Sequence, residues 1–269
     1  MRTVLKSNVK NPTGVQHHKL SAERYHLRRY FPDEPLIELI EQFWLVNWDL
    51  RDEKNHTQKN LPDPNFHLIL DNRKLKLIGP ISKTYSYKME GVGKIIGIKF
   101  ALGALADFLE SPLSKYVDKE LDFQQLVDFD ADTFISELDG LQDDEQIVDL
   151  LQTYMTPFVI TSSSELIRVR ELVNRIKNDS DITRVEHLSK KANLSIRTIQ
   201  RCFKYYLGLS PKWLIRKYRL HQALELIEKE DVNFLDIVEW LGYTDQSHLI
   251  RDFKEIIGVT PINYINQSY

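Results

Sequence analysis

Two rhythms of apolar and polar positions divide this chain of 269 residues. Up to about residue 100, apolar positions come in short runs: "FWLVNWDL" (43–50), "HLIL" (67–70), "KLKLIG" (74–79), "TYSYKM" (84–89) and "KIIGIKF" (94–100). β-Branched and aromatic residues dominate these runs, and Pro, Asn, Asp and Gly separate them, which predicts short strands joined by turns. "ALGALADFLE" (101–110) reads as a helix stopped by Ser111-Pro112. Two further helices are expected at Ala131–Asp139 and Asp143–Met155, the latter amphipathic through Ile147, Leu150 and Leu151. "TPFVITSSS" (156–164) has the composition of a linker. Beyond it the rhythm is helical throughout, beginning with Leu166, Val169, Val173 and Ile176 on one face and Ser164 as the N-cap. The change of rhythm puts a boundary near Thr161, between an N-terminal domain (1–160) and a C-terminal domain (165–269).

The helical part contains an internal repeat. "VEHLSKKANLSIRTIQRCFKYYLGLSP" aligns with "LDIVEWLGYTDQSHLIRDFKEIIGVTP" at an offset of fifty, and five of the last eleven positions are identical. Each copy predicts a short apolar helix, a tight polar turn (Asn193-Leu194-Ser195; Tyr243-Thr244-Asp245) and a second, amphipathic helix, over about 184–207 and 234–257. Ile199, Phe203 and Leu207, or Leu249, Phe253 and Ile257, fall on one face of that second helix. The small Ala192 and Gly242 are expected to let the paired helices approach closely. This is the helix-turn-helix pattern, whose second helix enters the DNA major groove. The opposite faces carry Arg197, Thr198, Gln200, Arg201 and Lys204 in one copy and Gln246, Ser247, Arg251 and Lys254 in the other. Arg and Gln match guanine and adenine edges bidentately. Between the copies, Ser210 as N-cap and Pro211 at the first helical position start a helix over Trp213–Glu228. At ~1.5 Å per residue it is about 24 Å long, so two reading heads would sit near one DNA turn apart on adjacent, asymmetric segments of a double-stranded operator. Thr260-Pro261 repeats the cap before a short final helix.

Charge strengthens this reading. The net charge is −3, but Asp181–Leu220 holds ten basic and two acidic residues, while Asp118–Asp149 holds twelve acidic residues and one lysine. The basic block is the footprint of a polyanion partner. The acidic stretch is expected to avoid DNA and to serve as a dimer contact or as a packing surface against the C-terminal domain. One cysteine, Cys202, excludes a disulfide framework and a multi-thiolate zinc site, and reads as a packed helix residue. Without an apolar run of membrane-spanning length or a secretory h-region, a cytoplasmic protein with no membrane partner is expected.

At the repeat the chain resembles the DNA-binding domain of the AraC/XylS family of bacterial transcription regulators, over about its last hundred residues. The strings that carry the likeness are "IVEWLGYTDQSHLIRDFKEIIGVTPINYI" and "LSKKANLSIRTIQRCFKYYLGLSPKWLIRKYRL". The resemblance implies base-edge contacts from Arg197, Gln200 and Arg201, and from Gln246, Ser247, Ile250 and Arg251. It implies phosphate contacts from Thr198, Lys204, His248 and Lys254. Trp240 departs from the family, standing where a small residue is common, and is expected to alter packing under the second unit. "LPDPNFHLILD" and "GKIIGIKFALGALADFL" resemble a poorly characterised class of AraC-type N-terminal domains, although Pro62-Asp63-Pro64 and Ala101-Leu102 lack that class's glycines.

The resulting expectation is an α+β N-terminal domain (a small antiparallel sheet or barrel plus helices) followed by an all-α domain with two helix-turn-helix motifs joined by a linker helix. The family implies that the N-terminal domain senses a signal or dimerises, giving a small-molecule effector, a homodimer and, for an activator, RNA polymerase as further partners. Tyr25, Tyr30, Trp44, Trp48, His67, Tyr85 and Tyr87 could line an effector pocket, although aromatics alternating on strands are more often packed core. His17, His18, His26 and His56 lack helical ligand spacing and read as surface residues rather than metal ligands. No catalytic motif of the G-x-S-x-G, H-E-x-x-H or Walker type occurs, so neither an enzyme nor a cofactor is expected. An enzyme or small-molecule carrier in residues 1–160, tethered to DNA, is the alternative, and a strand-borne cluster of titratable residues facing one cavity would favour it.

Overall fold

Residues that alternate at period two build an antiparallel sheet. The computed structural model describes residues 23–109, 111–125, 130–227 and 234–266. Within them strands run at His26–Tyr30 (β1), Ile40–Asp49 (β2), His56–Asn60 (β3), His67–Asp71 (β4), Lys74–Ile78 (β5), Tyr85–Met89 (β6), Val92–Phe100 (β7) and Glu120–Leu121 (β8). Six form one sheet in the order β1-β2-β7-β4-β5-β8, and β3 pairs with β6 as a separate ribbon. All five expected runs are strands. "HLRRY" (β1) and "HTQKN" (β3) were not foreseen, because with so few apolar residues their pairing is set by the neighbouring strand rather than by their own propensity.

Alternation sorts the side chains into two layers. Phe43 and Leu45 of β2, Leu68 and Leu70 of β4, Leu77 of β5 and Ile96, Ile98 and Phe100 of β7 enter the main core. Against that face pack the helices Ala131–Asp139 (α1) and Asp144–Met155 (α2) through Phe134, Ile135, Leu138, Ile147, Val148 and Leu151. The described part of the acidic stretch therefore packs on its own sheet. Asp144 accepts hydrogen bonds from Arg28 and Tyr30 of β1, and Glu120 pairs with Lys76 at 3.1 Å.

The expected helix over 101–110 is instead a series of turns, described as far as residue 109. Gly103 adopts φ +74°, and a Cβ there would lie 2.6 Å from Leu166 and 3.2 Å from the Tyr206 carbonyl oxygen. A left-handed residue at the third position cannot continue a right-handed helix, so Ala104 and Ala106 close three-residue turns onto Ala101 and Gly103.

Helices Ser164–Asn178 (α3), Val185–Ala192 (α4), Ile196–Tyr206 (α5), Pro211–Ile227 (α6), Phe234–Trp240 (α7), Gln246–Ile257 (α8) and Pro261–Asn266 (α9) complete the chain. The N-cap of α3 is Ser163 rather than Ser164: its Oγ accepts from the Leu166 N–H at 3.2 Å. Helix α6 serves both heads. Leu214 and Ile215 close the first head's core with Val169, Leu172 and Ile176 of α3, while Leu220, Ala223 and Leu224 close the second head's core. The sheet-bearing part contributes Leu61 to that second core. Arg170 of α3 bonds the Leu102 and Glu38 carbonyls at 3.0 and 2.8 Å. Among the described residues no helix is long and apolar enough to cross a membrane.

Candidate nucleic-acid interface

In both copies the second helix is anchored by a capping side chain at the same place. Ser195 Oγ accepts from the Thr198 N–H at 3.1 Å, and Asp245 Oδ1 accepts from the His248 N–H at 2.8 Å. Each cap contributes about 1 kcal/mol. Ile199 and Phe203 in α5 with Leu207 at its C-cap, and Leu249, Phe253 and Ile257 in α8, are completely buried. Three buried residues at four-residue spacing leave each helix no rotational freedom, and this aims the opposite face outward.

That face is where the anticipated side chains stand. Arg197, Gln200, Arg201 and Lys204 on α5, and Gln246, Ser247, Arg251 and Lys254 on α8, are all exposed. Thr198, His248 and Ile250 are half-buried. The Thr198 hydroxyl lies 2.8 Å from Ser195 Oγ and is engaged in the cap, and the His248 ring meets Tyr243 edge-on at 5.1 Å. Asp252 and Glu255, which flank Arg251 in sequence, both turn to Arg216 of α6, at 2.8 and 2.6 Å. Among the described residues Arg197, Arg201 and Arg251 form no ion pair, so their donors face solvent.

The turns before these helices differ. Asn193 takes the left-handed conformation (φ 52°) in the first copy and Gly242 (φ 65°) in the second. A Cβ on Gly242 would meet only Thr183, at 3.4 Å. The glycine therefore serves the backbone turn and not the close helix approach expected of it. Trp240 does not alter packing beneath the second unit either, because it is 61% exposed.

The other face of the sheet encloses a cavity of about 590 Å³ with the β3–β6 ribbon. Period two again sets its lining: Leu27 and Arg29 of β1, Gln42, Trp44 and Val46 of β2, His67, Ile69 and Asp71 of β4, and Ile95 and Lys99 of β7. Tyr25, Trp44, His67, Tyr85 and Tyr87 line it, and Tyr25, Trp44 and Tyr87 pack at the same time on a small apolar cluster. Tyr30 and Trp48 instead belong to packed clusters. The Trp44 Nε1–H is buried and without a hydrogen-bond partner among the described residues.

Titratable residues scattered in sequence thus converge on one cavity, yet its acids are engaged. Burial alone would raise the Asp63 carboxyl, but Lys99 at 2.9 Å, with Lys217 beyond it, holds it well below the usual carboxylate range. Asp71 accepts from the Tyr87 hydroxyl at 3.0 Å. Burial lowers His67 to about 4 and, across a neighbouring cleft, His221 to about 3 and Lys217 to about 8. Sequence reasoning missed this group, although Lys217 carried a signal: it shares the apolar helical spacing of Leu214 and Leu220. Among the described residues no three metal-ligating side chains converge. His26 is exposed, the His56 ring is 3.2 Å from Gln58 Oε1, and His17 and His18 lie outside the described residues.

Two family matches bear on these surfaces. Residues 188–267 match a helix-turn-helix domain, and residues 28–122 match a domain of unknown function, DUF6597. The uncharacterized HTH-type transcriptional regulator YtdP of Bacillus subtilis (strain 168) is 29% identical over 90 residues, which are 34% of this chain and 12% of YtdP. The probable transcription factor PqrA of Proteus vulgaris is 28% identical over 81 residues, 30% of this chain and 66% of PqrA. The chain thus spans less than two thirds of the length of these relatives. The C-terminal domain of AraT, a response regulator from Geobacillus stearothermophilus, is 29% identical with a TM-score of 0.36, covering 39% of this chain and 88% of that one. ToxT from Vibrio cholerae is 12% identical with a TM-score of 0.40, covering 90% and 97%.

Proposed function

We propose that the chain, which carries an AraC-type helix-turn-helix domain over residues 188–267, is a sequence-specific DNA-binding regulator of the AraC/XylS type that inserts α5 and α8 into successive major-groove segments of one operator. The observation that carries this reading is the repeat itself: two helices buried on equivalent faces and basic on equivalent exposed faces, joined by a helix common to both cores. In this reading residues 165–269 are the DNA-binding domain, and residues 1–160 sense a signal or dimerise in a bacterial cytoplasm. Arg197, Gln200, Arg201, Gln246, Ser247, Ile250 and Arg251 read bases, while Thr198, Lys204, His248 and Lys254 hold phosphates. The cavity is the place for a small-molecule effector: it is largely apolar, and the Trp44 indole offers an unused donor there. RNA polymerase is the further partner of an activator.

The strand-borne titratable cluster is the one feature that favours the alternative of a DNA-tethered enzyme or carrier. Its carboxylates are engaged, Asp63 by the charge of Lys99 and Asp71 by a hydrogen bond from Tyr87, which suits binding better than proton transfer.

The test is selection from a random DNA pool by the full chain, followed by affinity measurements at several salt concentrations. A single asymmetric site about two half-sites long is expected, with affinity falling steeply as salt rises because Lys and Arg release counterions. Recovery of no preferred sequence, or binding indifferent to salt, rejects the reading.

A further inference from the structure

The loop that follows β5, residues 79–84, is built into three parts of the molecule at once. Ile81, Lys83 and Thr84 form part of the cavity wall. Beneath them, Asp118 holds the loop from a left-handed backbone conformation (φ 58°). Its carboxylate accepts from the Ser82 N–H at 2.7 Å and from the Ser82 hydroxyl at 2.6 Å, and its own N–H donates to the Pro80 carbonyl at 2.8 Å. On the outer edge the loop reaches the helical part. The Ser82 carbonyl accepts from Trp213 Nε1–H at 3.1 Å. Thr84 donates from both its N–H and its hydroxyl to the Ile256 carbonyl, at 3.2 and 2.9 Å.

These two attachment points are not equivalent. Trp213 lies in the first turn of α6, just after the first head, and Ile256 lies in the last turn of α8. The last carbonyls of a helix have no partner inside it, so Thr84 supplies from another part of the chain a bond that α8 cannot make for itself. One short loop therefore grips the beginning of the spacer and the end of the second reading helix while forming the wall of a cavity.

We propose that this loop is the positioning element of the second reading head, with Ser82 and Thr84 as its contacts, and that occupation of the cavity shifts α8 relative to α5 through it. The inference rests on the reading of the chain as a DNA-binding regulator. Two helices can read one duplex only while their separation matches the groove repeat. A loop clamped by Asp118 on one side and by Trp213 and Ile256 on the other transmits a displacement of the wall rather than absorbing it.

The experiment uses the full chain and the site it selects from a random pool. Thr84→Val with Trp213→Phe removes the two side-chain donors and leaves only the Thr84 N–H bond to the Ile256 carbonyl; Val keeps the volume of Thr, and thermal melting controls for the ring lost at Trp213. Ile69→Trp fills the cavity from its floor on β4 and stands in for a ligand. With the loop intact, Ile69→Trp is expected to change affinity for the two-half site at least fivefold and to leave a single half-site unchanged. In the uncoupled background its effect is expected to fall below twofold, a coupling that a double-mutant cycle reads directly. The uncoupled chain should also lose less than threefold on insertion of one base pair between the half-sites, where the intact chain loses tenfold or more. Val46→Phe replaces Ile69→Trp if thermal melting shows that the latter unfolds the chain. Equal effects of cavity filling in both backgrounds, no effect in the intact chain, or unchanged tolerance of the inserted base pair overturns the proposal. Failure of the unmodified chain to select any sequence rejects the functional reading instead.

Discussion

Position 202 in the first reading helix and position 252 in the second are equivalent in the repeat and opposite in chemistry. Cys202 is half-buried beside the first core. Asp252 is 4% exposed and paired with Arg216 of the spacer helix at 2.8 Å. The first head is held by apolar contacts with α3, through Val169, Leu172 and Ile176, and its polar ties, Arg175 to the Lys191 carbonyl at 3.0 Å and Lys191 to Asp179 at 2.7 Å, lie exposed at its rim. The second is held by directed polar contacts as well: Arg216 grips Asp252 and Glu255, and Arg219 donates to the Leu241 carbonyl at 2.9 and 2.6 Å while lying 3.8 Å over the Tyr243 ring. Apolar packing is non-directional, whereas an ion pair fixes an orientation. The comparison teaches that one unit used twice can be seated mainly by packing in one copy and oriented by charge in the other, with that orientation set by α6.

The largest expected effect breaks the polar lock. Arg216→Ala leaves Asp252 buried without its counter-charge and should destabilise the chain by about 3–5 kcal/mol in urea unfolding. Arg216→Met combined with Asp252→Leu should recover most of that loss. If the single variant unfolds like the unmodified chain, the lock is ornamental.

Next in size is the reading itself. Arg201→Ala should relax base preference in one half of the operator and Arg251→Ala in the other, by about 1–3 kcal/mol of discrimination each. The two losses should nearly add across one helical turn. A uniform loss of affinity in pool selection, without a local change in preference, would make both arginines phosphate clamps.

The turns sharpen the comparison further. Gly242→Ala forces a Cβ onto a left-handed residue and should cost about 1–2 kcal/mol, whereas Asn193→Gly, at the equivalent bend, should change stability by a few tenths of that. Thermal midpoints of the two variants decide it.

The smallest effect concerns acid. His67 and His221 are held neutral, so from about pH 6.5 down to about pH 4 for His67 and about pH 3 for His221 the unfolded chain takes up protons that the folded chain refuses. Stability is full above that window and is lost as pH falls, by about 1 kcal/mol in all once partial access to the cavity and cleft is allowed for. His221→Gln should flatten the fall in urea midpoint between pH 7 and pH 4.5; an unchanged slope would show that His221 is not buried neutral.

What was legible in the sequence was local. Ile199, Phe203 and Leu207 announce their burial by spacing alone, and Ser210 announces its cap, with the Trp213 N–H donating to it at 3.1 Å. The exposed arginines follow from the same spacing. The turn at Gly103 was not legible, because nothing in "ALGALADFLE" reveals a positive φ that is fixed by contacts with Leu166 and Tyr206, over sixty residues away. Nor was the convergence of Asp63, His67 and Lys99 on one cavity, which depends on the pairing of β4 with β7. The bond from Thr84 to Ile256 spans 172 positions, and no pattern within either segment predicts the other.

Leu61 has a consequence for inheritance. It is 6% exposed, lies in the sheet-bearing part and is seated among Leu220, Ile237 and Phe253 of the second head. Regulators built of a sensor and a reader invite recombination, by gene fusion in nature or in the laboratory. Here the plug for the second head is encoded in the sheet-bearing part. A chimera that grafts residues 165–269 onto a foreign partner would carry an empty apolar socket beneath its second head, and its first head would lose Leu102 from the edge of its core and the sheet core on which Tyr205 and Tyr206 pack. Such a hybrid would be loosened beneath both heads, most at the second where a fully seated side chain is lost, so the two halves of this chain are expected to have been exchanged together or with apolar residues supplied at the new joint.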